Sequence, residues 1–252
     1  MSTLAQELPP IMINLDLEDY EGLAVIPWFS YRAQVPVRPF PGLAERPAIQ
    51  TERLTIRPIV MADLEAFHAL RSCPLTQIHS PTRGRTDNDI EETRAHIEWM
   101  ESHDQEHYYF GAFLNSTGEL IGEGGLPKVE PPRSGWPEAE ILIKPDFRRQ
   151  GFGTEFWKAV TNSWWELPRE MQRHQLLPLI VPGVEPGEEV QEGLGLAWEE
   201  SNVAAREFFA KVLKQNPVSA TGSFEEFDRR PGRDLELIRW NGTIQANPLH
   251  TA

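Results

Sequence analysis

The sequence predicts an α/β fold in which helices cover both faces of one mixed sheet. Three observations lead to this expectation. The apolar periodicity changes along the chain in the order strand, two helices, three strands, helix, strand, helix, two strands. The three central strands are joined by short turns, and a Gly-x-Gly loop joins the last of them to a helix. The pattern therefore predicts about six to seven strands and about four helices.

Each element has its own local signal. Apolar and polar residues alternate from Glu52 and stop at Pro58, which predicts a strand, and Asp63 can cap the helix that follows. Asp87 or Asp89 opens a second helix. The other predicted elements are strands 108–114, 120–129 and 139–143, helix 155–166, strand 195–198, helix 202–214 and strands 224–227 and 235–240.

The composition limits the classes of function. The chain has 252 residues, with 24 Lys plus Arg against 38 Asp plus Glu, so its formal net charge is −14. This charge repels nucleic acid, and because no Lys/Arg-rich run is present we expect no nucleic-acid partner. A cationic partner such as an amine suits it better. Cys73 is the single cysteine, so we expect no intramolecular disulfide and no cysteine-ligated metal.

No segment predicts export or membrane insertion. The N-terminus lacks a basic start and an apolar run, which argues against a signal peptide. The most apolar stretch, residues 176–184, is broken by prolines and is far shorter than the roughly 20 residues of a membrane span. The seven histidines show no metal-binding spacing. We expect a cytoplasmic protein without a metal or a membrane partner, with the nucleus left open.

The chain divides into three predicted parts. Residues 1–50 hold seven prolines and no lasting period, which predicts an N-terminal arm packed on the domain through its aromatic residues. Residues 51–240 form the predicted domain, and residues 241–252 form a C-terminal tail. Within the domain, residues 168–193 are predicted to be an irregular, acidic insertion. The arm could instead make a contact in a homodimer.

The loop after the third central strand carries the chemistry. The strand runs into Pro145, a short turn follows, and Gly151-x-Gly153 opens a helix. Consecutive backbone N–H groups at a helix N-terminus bind phosphate or pyrophosphate, and Arg148 and Arg149 can add charge-assisted contacts. A Walker loop is excluded because no Gly-Lys-Ser/Thr follows, and the missing third glycine disfavours a dinucleotide fold.

These residues resemble a known family. Arg148-x-x-Gly151-x-Gly153 after Ile143-Lys144-Pro145-Asp146 resembles the acetyl-CoA signature of the GCN5-related N-acetyltransferases (GNAT). Arg53-Leu54-x-Ile56-Arg57, Gly118-x-Leu120-Ile121-Gly122 and Asn202-x-x-Ala205 resemble the first strand, the second hairpin and the last cofactor contact of that family. The resemblance covers residues 51–240. It is greatest to the subgroup that includes the ribosomal-protein alanine N-acetyltransferases, since Glu140-Ile141-Leu142-Ile143 is similar to its Glu-Ile-Gly-Tyr-type strand.

The resemblance implies a mostly antiparallel central sheet and acetyl-CoA as co-substrate. It implies that the backbone of Ile141, Leu142 and Ile143 pairs with the pantetheine arm, and that an N–H near Leu142 polarises the thioester carbonyl and stabilises the oxyanion. It implies that Asn202 reaches the cofactor near its pantetheine portion. The pyrophosphate would be held by the amides of Arg149, Gln150, Gly151, Phe152, Gly153 and Thr154.

Amine acetylation also needs a general base, because an alkylamine is protonated near neutral pH. Glu140 is the preferred candidate, since it directly precedes the stretch that would pair with pantetheine. Glu138, on the same face by strand alternation, and Glu123, on the neighbouring strand, are the other candidates. Each carboxylate could instead be a solvated or ion-paired strand residue.

One position departs from the family. Many members carry a tyrosine seven residues after the asparagine, where it protonates the leaving thiolate, but this chain has Phe209. The proton would then come from water or from another residue, with Tyr108 and Tyr109 as possible substitutes, or CoA would leave as the thiolate.

Three functions follow from these patterns. The leading one is acetyl transfer from acetyl-CoA to a primary amine, either a small molecule or a protein N-terminus. The alternative is a catalytically inactive CoA-binding or interaction module with the same fold, for which Phe209 is the support. A nucleotide-binding protein could use the same loop. The acceptor depends on loops 74–89, 130–138 and 168–193, which show no recognisable pattern.

Overall fold

The computed structural model describes residues 27–80, 86–129, 134–214, 218–227 and 237–249. Its strands are β1 (Phe29–Pro36), β2 (Ile49–Gln50), β3 (Leu54–Arg57), β4 (Tyr108–Leu114), β5 (Leu120–Lys128), β6 (Glu138–Ile143), β7 (Arg169–Leu176), β8 (Glu189–Val190), β9 (Gly193–Glu199), β10 (Val218–Phe227) and β11 (Leu237–Ala246). Its α-helices are α1 (Leu64–Arg71), α2 (Pro74–Gln77), α3 (Ile90–Ser102), α4 (Phe152–Trp165) and α5 (Val203–Leu213).

The described residues pack as two compact units. Unit A contains residues 36–80, 86–129 and 139–168. Unit B contains residues 27–35, 134–138, 169–214, 218–227 and 237–249.

The sheet of unit A has the strand order β6-β5-β4-β3-β2. The pairs from β2 to β5 are antiparallel. The Lys144 N–H donates to the carbonyl of Ile121 at 2.8 Å, and Gly124 lies against Glu140 and Ile141. The order of these contacts shows that β6 also runs antiparallel to β5.

Helices cover both faces of this sheet, and β4 shows why. Its side chains alternate, so Tyr109 and Phe113 enter one buried cluster together with apolar residues of α1 and α3. Tyr108 points to the opposite face, where its ring centroid lies 5.4 Å from that of Trp164 on α4. The predicted arrangement of helices on both faces is therefore confirmed within unit A.

Unit B contains two smaller groups of strands. One is a three-stranded sheet in the order β7-β1-β8, in which β1 and β8 are parallel. The other joins β10, β11 and β9 through antiparallel pairs. The core of unit B includes Tyr31 and Ala33 of β1, Trp136, Leu176 and Ile244.

The prediction that residues 168–193 are irregular was wrong, and residues 1–50, where the sequence shows no lasting period, contain β1 and β2. The segment 168–193 holds β7 and β8, and both flank β1. These strands are held by pairing between distant parts of the chain, which a local apolar period does not report. The four strands that were not predicted are β1, β2, β7 and β8. They raise the number of strands in the described residues to eleven, above the predicted six to seven. The boundaries of the predicted arm, domain and tail stay predictions.

The α/β fold class is confirmed, and most element positions agree with the sequence reading. Asp89 caps α3, since its Oδ1 accepts from the N–H groups of Glu91 and Glu92, each at 3.0 Å. Asp63 occupies the cap position of α1 without a capping hydrogen bond. The segment between the last two predicted strands, and the start of the second of them, lie outside the described residues. No described helix has the length and apolar character needed to cross a membrane.

Candidate active site

The Gly-x-Gly loop of unit A has the backbone that its sequence predicts. Gly151 is the N-cap residue of α4 and has φ 87° and ψ −9°, in the left-handed region. Glycine adopts this conformation at little cost because it has no Cβ. Arg149 also has a positive φ of 62°, which is uncommon for a residue with a side chain. Left-handed residues between right-handed ones turn successive amides toward one side, so the loop has the form of an anion-binding nest.

The amides of this loop are directed away from the protein backbone. None of the N–H groups from Gln150 to Thr154 donates to a backbone carbonyl within the described part of the chain. The first helical bond is made by Glu155, whose N–H donates to the Gly151 carbonyl at 3.1 Å. These amides, together with the positive end of the α4 dipole, fit a pyrophosphate.

An ion pair fixes the loop to β3. Arg53 Nη2 lies 2.7 Å from Glu155 Oε2, and Arg53 Nη1 donates to the Gln150 carbonyl at 2.9 Å. The guanidinium also lies over the Phe152 ring, 4.3 Å from its centroid. Burial alone would raise the pKa of Glu155, but hydrogen bonds from Thr51 and Arg53 and the Arg53 charge lower it. A cation therefore lies beside the loop, where a Cβ on Gly151 would be 3.3 Å from Arg53 Nη2.

The two predicted loop arginines differ in their surroundings. Arg148 Nε donates to the Ile143 carbonyl and its Nη2 donates to the Leu75 carbonyl, each at 2.8 Å. These bonds hold the start of the loop between the end of β6 and α2, and burial lowers the pKa of Arg148. Arg149 is exposed. The Gln150 side chain donates to the Asp146 carbonyl at 2.7 Å, so it braces the turn.

The predicted pantetheine strand is the last half of β6. Ile141 and Ile143 are half-buried and Leu142 is buried. Glycines on β5 let β6 approach closely, since a Cβ on Gly124 would lie only 2.7 Å from the Glu140 carbonyl and 3.0 Å from the Phe156 ring. The Ile143 carbonyl already accepts from Arg148, which leaves Ile141 and Leu142 as the better candidates for backbone pairing with a ligand.

The preferred base candidate, Glu140, has a defined hydrogen-bond partner. The hydroxyl of Tyr109 donates to Glu140 Oε1 at 2.7 Å. Gly125 lies between these two residues. It is the partner of Tyr109 on β4, and the bond from Lys144 to Ile121, counted back along the antiparallel strands β5 and β6, sets it opposite Glu140. With no side chain at Gly125, the tyrosine can reach across the middle strand.

The other two carboxylates lie in different surroundings. Glu123 is 0% exposed against 7% for Glu140. It is the partner of Gly111 on β4, so it shares the face of Tyr109 and Glu140. Glu138 is half-buried and belongs to the packing of unit B, where a Cβ on Gly195 would lie 2.9 Å from its Cγ.

Asn202 and Phe209 belong to unit B. Asn202 caps α5, since its Oδ1 accepts from the Ala205 N–H at 3.0 Å. Phe209 is buried, and its ring centroid lies 5.4 Å from that of Trp198. The position that holds a tyrosine in many members is therefore part of an aromatic core in this chain.

Sequence reasoning missed two features of this site. It placed Arg53 only in a strand motif and Glu155 only at a helix start, although the two residues fix the loop. It named Tyr109 only as a possible proton donor to the thiolate. Strand alternation puts Tyr109 and Glu140 on one face once the β4–β5–β6 hairpins are predicted, and this signal could have indicated their contact.

No group of three or more His, Cys, Asp and Glu side chains within the described ranges could hold a metal ion.

Comparisons with known proteins identify the family and the fold. Residues 53–221 match the family model described as an acetyltransferase (GNAT) domain. A GCN5-related N-acetyltransferase from Brucella melitensis is similar at 12% identity, with a TM-score of 0.57 over 85% of this chain and 82% of that chain. An acetyltransferase from Salmonella typhimurium, which modifies the N-terminal serine of ribosomal protein L7/L12, is similar at 13% identity, with a TM-score of 0.54 over 79% of this chain and 99% of that chain.

A third solved structure is similar to this chain to about the same extent. An acetyltransferase of the GNAT family from Bacillus anthracis is 15% identical, with a TM-score of 0.53 over 80% of this chain and 99% of that chain. Likeness at these identities shows the fold. No curated protein sequence matches the chain at a significant level.

Proposed function

Because the chain belongs to the GNAT acetyltransferase family and is an acyltransferase, we propose that it transfers the acetyl group of acetyl-CoA to a primary amine. The observation that carries the proposal is the row of amides from Gln150 to Thr154 at the N-terminus of α4, with the Arg53 cation beside it. A doubly anionic pyrophosphate is the ligand that this combination fits best.

The proposed cofactor contacts lie on both sides of the glycine loop, at the start of α4 and at the end of β6. The amides of Arg149 to Thr154 hold the pyrophosphate, and the edge of β6 at Ile141 and Leu142 pairs with the pantetheine arm as a strand pairs with a peptide. The Leu142 N–H polarises the acetyl carbonyl. The contact between Asn202 of unit B and the cofactor, which the resemblance implies, stays a prediction. Acetyl-CoA supplies an activated thioester, and CoA leaves with the sulfur.

Glu140 is the proposed general base. The amine nitrogen forms the new C–N bond as the thioester C–S bond breaks, and Glu140 takes the amine proton directly or through a water. Burial in a sheet with the Tyr109 hydroxyl as donor gives this carboxylate a fixed position. Glu123 has no exposed surface and Glu138 packs in unit B, so both are weaker candidates for contact with an incoming amine.

The acceptor class stays broad in this proposal. The net charge of −14 suits a cationic amine, whether a small molecule or a protein N-terminus. The thiolate is protonated by water or leaves unprotonated, since Phe209 has no donor. The alternative of an inactive module depended on Phe209, which packs against Trp198, and the comparisons give it no support.

A thiol-release assay tests the proposal. The protein is incubated with acetyl-CoA and a panel of peptides with free N-termini, polyamines and aminoglycosides, and released CoA is followed with a thiol reagent. We expect turnover with at least one amine. Tight acetyl-CoA binding without turnover on any amine would favour the inactive module. ATP binding that acetyl-CoA does not displace would favour a nucleotide-binding protein.

A further inference from the structure

We propose that Tyr109 is a positioning residue of the reaction, and that it acts by holding the Glu140 carboxylate through its hydroxyl. The inference rests on the proposed function, because it gives Glu140 the role of general base. It removes Tyr109 from the candidates for protonating the thiolate, since its hydroxyl proton is directed to a carboxylate. Tyr108 is removed as well, because its hydroxyl is paired with that of Ser163 on the opposite face of the sheet from Glu140.

The contact is built into the sheet. Tyr109 Oη lies 2.7 Å from Glu140 Oε1, and the two residues are 3% and 7% exposed. Gly125 separates them on β5, and its φ of 125° is a conformation that L side chains rarely adopt. A Cβ at Gly125 would also clash with the Tyr108 carbonyl. The backbone therefore keeps side-chain atoms out of the path between the hydroxyl and the carboxylate.

The chemistry gives this contact a function. A buried carboxylate is costly to ionise without donors, and a tyrosine hydroxyl is a donor that water does not easily replace inside a sheet. A general base must also lie within hydrogen-bond reach of the proton that it takes, and a displacement of about 1 Å costs much of the rate. A fixed donor on one oxygen restricts the rotation of the Glu140 side chain about its outer bonds.

Other acidic residues share the strand face of Glu140. Glu123 from β5 and Glu138 from β6 lie on the same face of their strands as Glu140. The Tyr109 hydroxyl places a donor, rather than a further carboxylate, against Glu140 Oε1. Among the described hydrogen bonds, the one that β4 donates to Glu140 comes from the Tyr109 hydroxyl.

Tyr108 provides the matched control. It is adjacent in sequence and equally buried, but it lies on the opposite face, where its hydroxyl is 2.6 Å from the Ser163 hydroxyl. Its ring packs against Phe40 and Trp164. Removing its hydroxyl therefore removes one buried hydrogen bond without touching Glu140.

A double-mutant cycle tests the inference, with the amine that gives turnover in the panel described above. Tyr109→Phe should lower kcat about tenfold and leave the KM for acetyl-CoA unchanged, whereas Tyr108→Phe should keep the kcat of the wild type. In a Glu140→Gln background, Tyr109→Phe should have no further effect on kcat. Equal kcat for Tyr109→Phe and wild type, or a loss of the same size in both backgrounds, would overturn the inference.

A second variant covers a Tyr109→Phe protein that fails to fold. Glu140→Asp keeps the carboxylate but withdraws it by one methylene from the Tyr109 hydroxyl, so kcat should fall by a similar factor. A wild-type rate for Glu140→Asp would contradict the positioning role. Turnover that survives Glu140→Gln at full rate would remove the proposed base, and no turnover by the wild type on any amine would remove the proposed function itself.

Discussion

Arg53, which directly precedes β3, and Glu155, in the first turn of α4, form an ion pair of 2.7 Å, and this pair fixes the glycine loop to the sheet. The residues are 102 positions apart in sequence, and Arg53 also donates to the Gln150 carbonyl inside the loop. The pair places a cation beside Gly151 and fixes the first turn of the helix whose amides remain available. The loop is therefore preorganised for an anion before any ligand arrives.

The first prediction concerns Arg53. Arg53→Met should weaken acetyl-CoA binding at least tenfold, because it removes the cation and leaves the Glu155 carboxylate uncompensated beside the proposed pyrophosphate site. Calorimetric titration with acetyl-CoA measures the change. Arg94→Met is the control, since the Arg94 side chain is 40% exposed like that of Arg53 and pairs with Glu91 on the outside of α3. Equal affinities for the two variants would contradict the role of Arg53.

The second prediction concerns Gly151. Gly151→Glu should abolish acetyl-CoA binding, because it adds a side chain and a negative charge at the N-cap of α4, where the pyrophosphate is proposed to lie. Equilibrium binding of acetyl-CoA is the measurement.

Gly183→Glu is the matched control for this change. Gly183 has φ 81°, is exposed, and a Cβ there would meet no atom within 4 Å, so the variant carries the same backbone strain and the same charge in unit B. It should bind acetyl-CoA like the wild type. Unchanged binding by Gly151→Glu would remove the loop from the cofactor site.

The third prediction concerns Phe40, which the sequence placed in a proline-rich arm. Phe40 is 4% exposed and packs edge-on against Tyr108 and Trp164 within unit A. Phe40→Ala should therefore lower the free energy of unfolding by about 3–5 kcal/mol, the cost of deleting a buried aromatic ring. Phe29, 37% exposed, is the comparison, and Phe29→Ala should cost less than about 1 kcal/mol. Urea unfolding measures both, and similar losses would show that Phe40 is not part of the core.

The fourth prediction concerns the pH dependence of stability. His107 is buried, its Nε2 donates to the Met100 carbonyl at 2.9 Å, and its Nδ1 has no partner among the described residues. Burial lowers the pKa of His107 below its ordinary value of 6.5. The unfolded chain therefore binds this proton first, and stability falls as the pH drops through and below 6.5.

Urea unfolding at about pH 7.5 and at about pH 5.5 tests this sign. The loss of unfolding free energy on acidification should be larger for the wild type than for His107→Gln, in which the titrating group is absent. A pH dependence that the substitution leaves unchanged would assign the effect to other groups.

Local signals predicted much of the fold, and tertiary pairing decided the rest. The left-handed backbone at Gly151, the cap at Asp89 and the central hairpins follow from residue types at fixed spacing. The strand β7 does not, because its residues 169–174 are nearly all polar, and pairing with β1 makes them a strand. Asp63 was expected to cap α1, but both oxygens of its carboxylate accept hydrogen bonds from Arg57, each of 2.7 Å. Its side chain therefore makes no capping hydrogen bond.

The parts of the candidate site that are local in sequence were predictable, and the contacts between distant residues were not. The glycine loop and the strand carboxylates are visible as motifs, since each consists of residues near one another in sequence. The Arg53–Glu155 pair joins residues that only the packing of α4 on the sheet brings together, and a single sequence gives no sign of it. The Tyr109–Glu140 bond follows from strand alternation only after the pairing of β4, β5 and β6 is known.

The most direct test of the account is the mass of an amine acceptor after incubation with acetyl-CoA and either the wild type or Glu140→Gln. The wild type should add the mass of one acetyl group to the amine. Glu140→Gln, with unchanged acetyl-CoA affinity, should do so at least about a hundredfold more slowly near neutral pH, as expected for loss of a general base. An acceptor that gains no acetyl group with the wild type, or gains it equally fast with Glu140→Gln, would contradict the account.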